Sequence, residues 1–268
     1  MLRFHTAGES HGQCLTAWVS GLPLGVPVDL AFINRELRRR QAGYGRGGRM
    51  KIERDEVQIL SGVRHGKTIG APITLQIENK DWTHWEDSLP VEDKLVPPEK
   101  QRPLAEPRPG HADLAGALKF NLHDARYILE RASARETAAR VASGALVKLF
   151  LRQLGMEILS HTVAIGSVRL PRLASWEEIL AACEDTDAEI RCVDAAVGAE
   201  MKKLIDRALA ERDSLGGVFE VVAHSVPPGL GSHAQWDEKL DARLAQAVMS
   251  IQAVKAVEIG SGVTNAAA

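Results

Sequence analysis

Cysteine is scarce in this chain: Cys14, Cys183 and Cys192 are the three among 268 residues. None stands at CxxC spacing, which argues against a disulfide framework or a structural zinc site and points to a reducing compartment. Long apolar runs are missing as well. No window approaches the roughly 18 apolar residues that span a bilayer, and the opening MLRFHTAGESHG lacks the basic start and apolar core of a secretory leader. The expectation is a soluble, cytoplasmic protein with no membrane partner. A surplus of one charge is absent too, since 33 Lys and Arg stand against 35 Asp and Glu, a net charge of -2. Global electrostatics therefore give no reason to expect a nucleic-acid partner, and any affinity for anions must come from local clusters. No GxGxxG fingerprint follows a strand-like segment, and there is no internal repeat or low-complexity tract.

What is present is an ordinary globular composition, 45% hydrophobic and 25% charged, in a chain long enough to bury a sizeable core as one large domain or two small ones. Strands are expected at Gln13 to Ser20, closed by Gly21-Leu22-Pro23, and at Glu56 to Val63 and Ile73 to Ile77, with Gly70-Ala71-Pro72 as the break between them. Helical spacing of Leu30, Ile33 and Leu37 predicts a helix to Gln41 that runs out into Gly43-Tyr44-Gly45. Residues 82 to 110 have no period and read as a long irregular connection, a kind of segment that is often functional. The strongest helix starts at Ser133, where Ser133 and Glu136 have capping-box spacing, and Gly155 marks its end. Beyond it are expected a strand from Glu157 to Arg169, helices at 174–184 and 195–212, a strand from Gly217 to Ser225, a helix from Leu240 to Ser250 and a short strand near Val257. This order suggests an α+β layered domain more than a parallel βαβ repeat.

Four clusters bear chemistry. Gly8-Glu9-Ser10-His11-Gly12 gathers a carboxylate, a hydroxyl and an imidazole between glycines. A histidine gives or takes a proton near neutrality, so His11 is a candidate general acid, although the same residues would serve an ordinary surface turn. Arg38, Arg39 and Arg40, followed by a glycine-rich loop carrying Arg46 and Arg49, could close over a multiply charged anion through bidentate guanidinium contacts, or be a solvated helix end. Arg108-Pro109-Gly110-His111-Ala112-Asp113 supplies a second histidine, either a proton donor or a structural partner of Asp113. Ser133-Ala134-Arg135-Glu136 opens a helix whose free N–H groups could bind an anion, or is a plain cap.

In this order, the blocks GESHG, RRRQAGYGRGGRM, SGVRHGKTIGAPI, PRPGHADL, LERASARETAARVASGA and GLGSHAQWDEKLDARLAQAVMSIQAVKAVEIG resemble the chorismate synthase family along the whole chain. The second and fifth are especially specific. The resemblance implies a lyase that converts 5-enolpyruvylshikimate 3-phosphate to chorismate by 1,4-anti elimination of phosphate, with reduced FMN required and no net redox. It implies a single domain over 1–268, folded as a β-α-β sandwich with sheets enclosing helices, and a homotetramer. Carried over residue by residue, His11 matches the histidine that protonates the departing phosphate, and His111 the one that protonates the reduced flavin. Arg40 and Arg46 match substrate-binding positions with Arg49 as a helper; in bifunctional relatives the same arginines serve NADPH. Ser133, Ala134 and Arg135 match one flavin-contacting segment, and Gln252 and Ala253 another.

The sequence departs from the family after Thr264, where the family continues into a glycine-rich flavin loop and an Arg-Ser-Asp type motif. The aspartate proposed there to accept a proton from the flavin has no counterpart here, so the expectation is a sandwich incomplete at the C-terminus, with weak flavin binding. Two other readings stand beside the lyase: an inactive remnant that binds an anion or partner without turnover, and a flavin or NADPH oxidoreductase.

Overall fold

The computed structural model describes residues 2–45, 54–185 and 188–267. Arg46 and Arg49 lie outside them. The chain divides into two compact units, residues 1–224 and 225–268.

In the first unit, β1 (Arg3–Ala7), β2 (Cys14–Ser20), β3 (Val57–Ile59) and β6 (Ile73–Glu78) form an antiparallel sheet in the order β1-β2-β6-β3, while β4 (Val63–Arg64) and β5 (Lys67–Thr68) make a separate hairpin. Alternation fixes the register. Leu15, Ala17 and Val19 of β2 stand opposite Ile77, Leu75 and Ile73 of β6, and all six side chains are buried on one face. A one-residue slip would turn that set toward water, and each fully buried Leu, Ile or Val contributes about 1.5–3 kcal/mol.

That face receives α1 (Leu30–Gln41) and the long α4 (Thr137–Gln153), after the short helices α2 (Asp113–Phe120) and α3 (Arg126–Ala132). Asp29 caps α1, its carboxylate accepting from the N–H groups of Ala31 and Phe32 at 2.9 and 3.2 Å. Phe32, Ile33 and Leu37 then enter the core beside Ala138, Ala142 and Leu146 of α4. The small residues of α4 allow close packing on β2 and β6, and the helix also packs on β7 (Glu157–Ile165) of a second sheet. That sheet orders β8 (Val168–Arg169), β7 and β9 (Gly217–His224) as β8-β7-β9. Helices therefore lie between two antiparallel sheets, the layering expected from the resemblance. The helices α5 (Trp176–Glu184) and α6 (Ala195–Glu211) connect β8 to β9.

Several local expectations change. The stretch 56–63 is two short strands rather than one, and 157–169 is a hairpin turning at Gly166. Ser133 does not make a capping box: its hydroxyl accepts from Arg135 N–H at 3.3 Å and caps the 3-10 turn Ala134–Glu136, while the Glu136 carboxylate accepts from Thr6 and Arg140. A capping box is formed instead at Ser175 and Glu178, ahead of α5. Strand β1 and helix α3 carried no sequence signal that set them apart. The second unit contains α7 (Leu240–Met249) and a closing 3-10 turn, Gly262–Ala267, and the residues near Val257 are not a strand.

Candidate active site

The site grows from the turn between β1 and β2. Gly8 has φ 103°, and a Cβ there would come within 2.4 Å of the Cys14 carbonyl oxygen; only glycine lets β1 and β2 close this tightly. The Asn79 amide after β6 ties the turn down by donating to the carbonyls of Glu9 and Gly12 at 3.1 and 2.7 Å. The turn delivers Ser10 and His11 to the end of α3. There the Ser10 N–H donates to the Glu130 carbonyl at 2.9 Å, and the His11 N–H to the Glu130 carboxylate at 2.8 Å.

The same carboxylate holds the His11 ring, with Nδ1 at 2.9 and 3.1 Å from its two oxygens. A carboxylate only accepts, so Nδ1 carries the proton and Nε2 is the nitrogen that exchanges one. Trp85 packs against the imidazole with ring centroids 4.1 Å apart and planes tilted by 30°, and the guanidinium carbons of Arg102 and Arg126 lie 4.2 and 5.2 Å from the Trp85 ring centroid. Burial raises the Glu130 carboxyl, but the hydrogen bonds from His11 and the charges of His11 and Arg126 outweigh it and hold the group ionised below the usual range.

Next to His11, the Ser133 hydroxyl donates to Ser10 Oγ at 3.0 Å. The following Arg135 is 7% exposed and is fully engaged: Nε donates to Asn79 Oδ1 at 2.9 Å, and Nη1 to Asp55 at 2.6 Å. The other oxygen of Asp55 lies 3.3 Å from Arg40 Nη1, while Arg40 Nε donates to Thr137 Oγ1 and Nη2 to the Ala134 carbonyl at 2.9 and 3.1 Å. One buried carboxylate thus clamps two arginines from different elements. It gathers Arg40 and the segment Ser133, Ala134 and Arg135 beside Ser10 and His11.

His111 sits elsewhere, on an exposed turn before α2. Its Nδ1–H donates to the Pro109 carbonyl at 2.9 Å. Asp113 is not its partner, because Arg108 takes both Asp113 oxygens at 2.8 and 3.0 Å. Gln252 and Ala253 belong to the second unit, where Ala253 is left-handed at φ 67°, a strained geometry for a residue with a Cβ that often marks a functional backbone. Burial and the nearby Glu9 and Glu78 push the Cys14 thiol up, so it stays protonated and is not a nucleophile.

A family model described as chorismate synthase matches residues 2–268. The chain belongs to the chorismate synthase family. It is 60% identical over 267 residues to the chorismate synthase of Acidobacterium capsulatum, covering 100% of this chain and 67% of the relative. It is 58% identical to that of Solibacter usitatus, with 100% and 68% covered. A solved structure described as the crystal structure of chorismate synthase superposes with TM-score 0.81 at 46% identity, covering 100% of this chain and 71% of that one. The chain therefore spans about two thirds of the length of its curated relatives. Membership makes it a lyase of the shikimate pathway acting on the small molecule 5-enolpyruvylshikimate 3-phosphate, and it sets the oxidoreductase reading aside. The family uses reduced FMN. Among the described residues no helix is long and apolar enough to cross a membrane, and no cluster could hold a metal ion.

Sequence reasoning missed Glu130, Asp55, Asn79 and Trp85. Each is set against its partner by the fold, and the one available signal was that Glu130 lies three residues ahead of Ser133 within a recognised block.

Proposed function

We propose that the Ser10, His11, Glu130, Ser133 and Arg135 cluster is where this chain eliminates phosphate from 5-enolpyruvylshikimate 3-phosphate. The observation that carries the reading is the grip of Glu130 on His11. A histidine whose Nδ1–H is held by a buried carboxylate presents Nε2 in a fixed direction, and the carboxylate stabilises the charged ring between proton transfers. Departing phosphate builds negative charge, which a proton from His11 and preorganised arginine charge offset. Arg40 is assigned to the anionic substrate with Arg46 and Arg49.

The described groups fit the polar, anionic edge of a reduced FMN: the fixed positive charge of two guanidinium groups held by Asp55, hydroxyls at Ser10 and Ser133, and an exposed Ala134. Ser133, Ala134 and Arg135 would contact the flavin, and the resemblance assigns the same role to Gln252 and Ala253, where the left-handed Ala253 backbone supports a contact role. When bound, reduced FMN would supply the transient electron that the elimination needs. The resemblance assigns His111 as the proton donor to the flavin, a role for which Nε2 would serve, since Nδ1 is fixed on the Pro109 carbonyl. NADPH is assigned to flavin reduction at the same arginines. A single family match across both units supports 1–268 as one domain, and a cytoplasmic homotetramer without nucleic-acid or membrane partners completes the reading.

The test is anaerobic phosphate release from 5-enolpyruvylshikimate 3-phosphate by the 268-residue chain, with and without reduced FMN. Release that depends on reduced flavin is the expected result. No release from the folded chain would instead favour an inactive remnant.

A further inference from the structure

Asn79, which ties down the turn of Ser10 and His11, also precedes the 3-10 turn Lys80–His84. The Trp82 N–H donates to the Asn79 carbonyl at 3.1 Å and the Trp85 N–H to the Trp82 carbonyl at 2.7 Å. This local winding carries Trp85 to the His11 ring. With centroids 4.1 Å apart and planes 30° from parallel, the imidazole lies over the indole face, since an edge-on pair is wider and steeper.

Trp85 is itself held. Its Nε1–H donates to the Asp81 carboxylate at 3.2 Å, and the guanidinium carbons of Arg102 and Arg126 stand 4.2 and 5.2 Å from its ring centroid, within cation–π reach. Arg126 opens α3 one helical turn ahead of Glu130, and its Nη1 is 3.6 Å from the Glu130 carboxylate. Its Nε donates to the Arg102 carbonyl at 2.8 Å, which couples the two cations. His11, Glu130, Arg126 and Trp85 therefore close a ring of contacts. The two holders of His11 are complementary. Glu130 fixes the place of Nδ1, but a hydrogen bond tolerates turning of the imidazole about its own axis, whereas a flat indole face sets the plane. Both are needed for Nε2 to keep one direction.

We propose, on the reading of His11 as the acid of the elimination, that Trp85 is its positioning residue: the indole face fixes the plane of the imidazole, and Arg126 locks Trp85 to Glu130.

The test compares Trp85→Leu, which keeps apolar bulk without the flat face, with Trp85→Phe, which keeps a face. Trp85 is half-buried and outside the main core cluster, so both variants should fold. NMR relaxation of the His11 ring C–H groups in the full chain reads the imidazole directly. Order parameters are expected near the rigid limit of about 0.85 in the parent chain and in Trp85→Phe, and below about 0.6 in Trp85→Leu. For phosphate release with reduced FMN, Trp85→Leu should lower kcat about tenfold with KM within about twofold, and Trp85→Phe should recover most of the loss. In a His11→Ala background Trp85→Leu should change nothing further, because its effect passes through the imidazole. A His11 ring as ordered in Trp85→Leu as in the parent chain would overturn the proposal, and so would an equal loss of kcat with and without His11. Loss of ring order in a chain whose phosphate release is indifferent to His11→Ala would uphold Trp85 as the holder of the ring and remove His11 as the acid, so the two failures are distinguishable.

Discussion

The Nδ1 of His11 lies 2.9 Å from one carboxylate oxygen of Glu130 and 3.1 Å from the other, across 119 residues of sequence. The second hydrogen bond to the His11 backbone makes the pair a rigid unit. Removing the acid and removing its holder should therefore differ in degree. His11→Ala is expected to lower phosphate release by roughly 10²- to 10⁴-fold. Glu130→Gln keeps the shape and loses a charged hydrogen bond, for about 1.5–3 kcal/mol or ten- to a hundredfold. Steady-state assays should show the loss in kcat with KM little changed; an unaltered kcat would remove the positioning role.

The same pair has a stability signature. Glu130 has its folded pKa held below the ordinary 4.5, so its contribution is fully present above that value and is lost as pH falls through the lower folded value. Urea midpoints of the parent chain should therefore drop on acidification below about pH 4.5, and Glu130→Gln should flatten that part of the curve. An identical acid profile for both proteins would contradict the assignment.

Asp55 is the keystone of the arginine pair. Its carboxylate is inaccessible and bonds Arg135 at 2.6 Å and Arg40 at 3.3 Å. Asp55→Ala leaves two cations without their shared partner, and breaking a buried pair in this way costs about 3–5 kcal/mol. Thermal or urea unfolding should show a loss of that size. Arg40→Ala leaves the shorter Arg135 bond intact and should cost less stability, while weakening substrate binding.

Local signals made part of this site legible. The glycines of GESHG and the arginine-rich end of α1 announce themselves within a few residues, because tight turns and helix ends are set by near neighbours. Helix α1 was bounded correctly from three apolar positions and a polar flank, and the layered α+β order followed from the alternation of short strands and helices. Glu130 and Asp55 were not legible, since a glutamate in a short helix or an aspartate before a strand looks like any solvated charge until the fold lays it against a partner. His111 shows the converse: an Asp two residues away invited a pairing that the geometry gives to Arg108, whose fork fits both oxygens. The left-handed Ala253 likewise has no signature in its residue type.

Gly8 tests the tightness of the turn. Alanine there would meet the Cys14 carbonyl at 2.4 Å in a left-handed backbone, so Gly8→Ala must open the β1-β2 corner and shift Ser10 and His11 together. Strain of this kind is worth on the order of 1–3 kcal/mol. The expected result is a destabilised chain whose phosphate release falls more steeply than its folded fraction; activity that simply tracks the folded fraction would show that the turn does not position His11.

The turn that carries His111 depends on Asp113, whose carboxyl is lowered to about 2 by the Arg108 side-chain hydrogen bond, against an opposing effect of burial and with help from the Arg108 backbone N–H. A depressed acid stabilises above its ordinary value of 3.8 and releases that stability as pH falls toward about 2. Asp113→Asn should therefore free Arg108 at every pH, and the His111 N–H, which donates to the Arg108 carbonyl at 3.3 Å, should exchange rapidly with solvent deuterium. In the parent chain the same amide should stay protected at neutral pH, where the carboxylate is ionised. Equal exchange rates in both proteins would mean that the pair does not hold the turn, and that His111 is placed by something other than its aspartate and arginine neighbours.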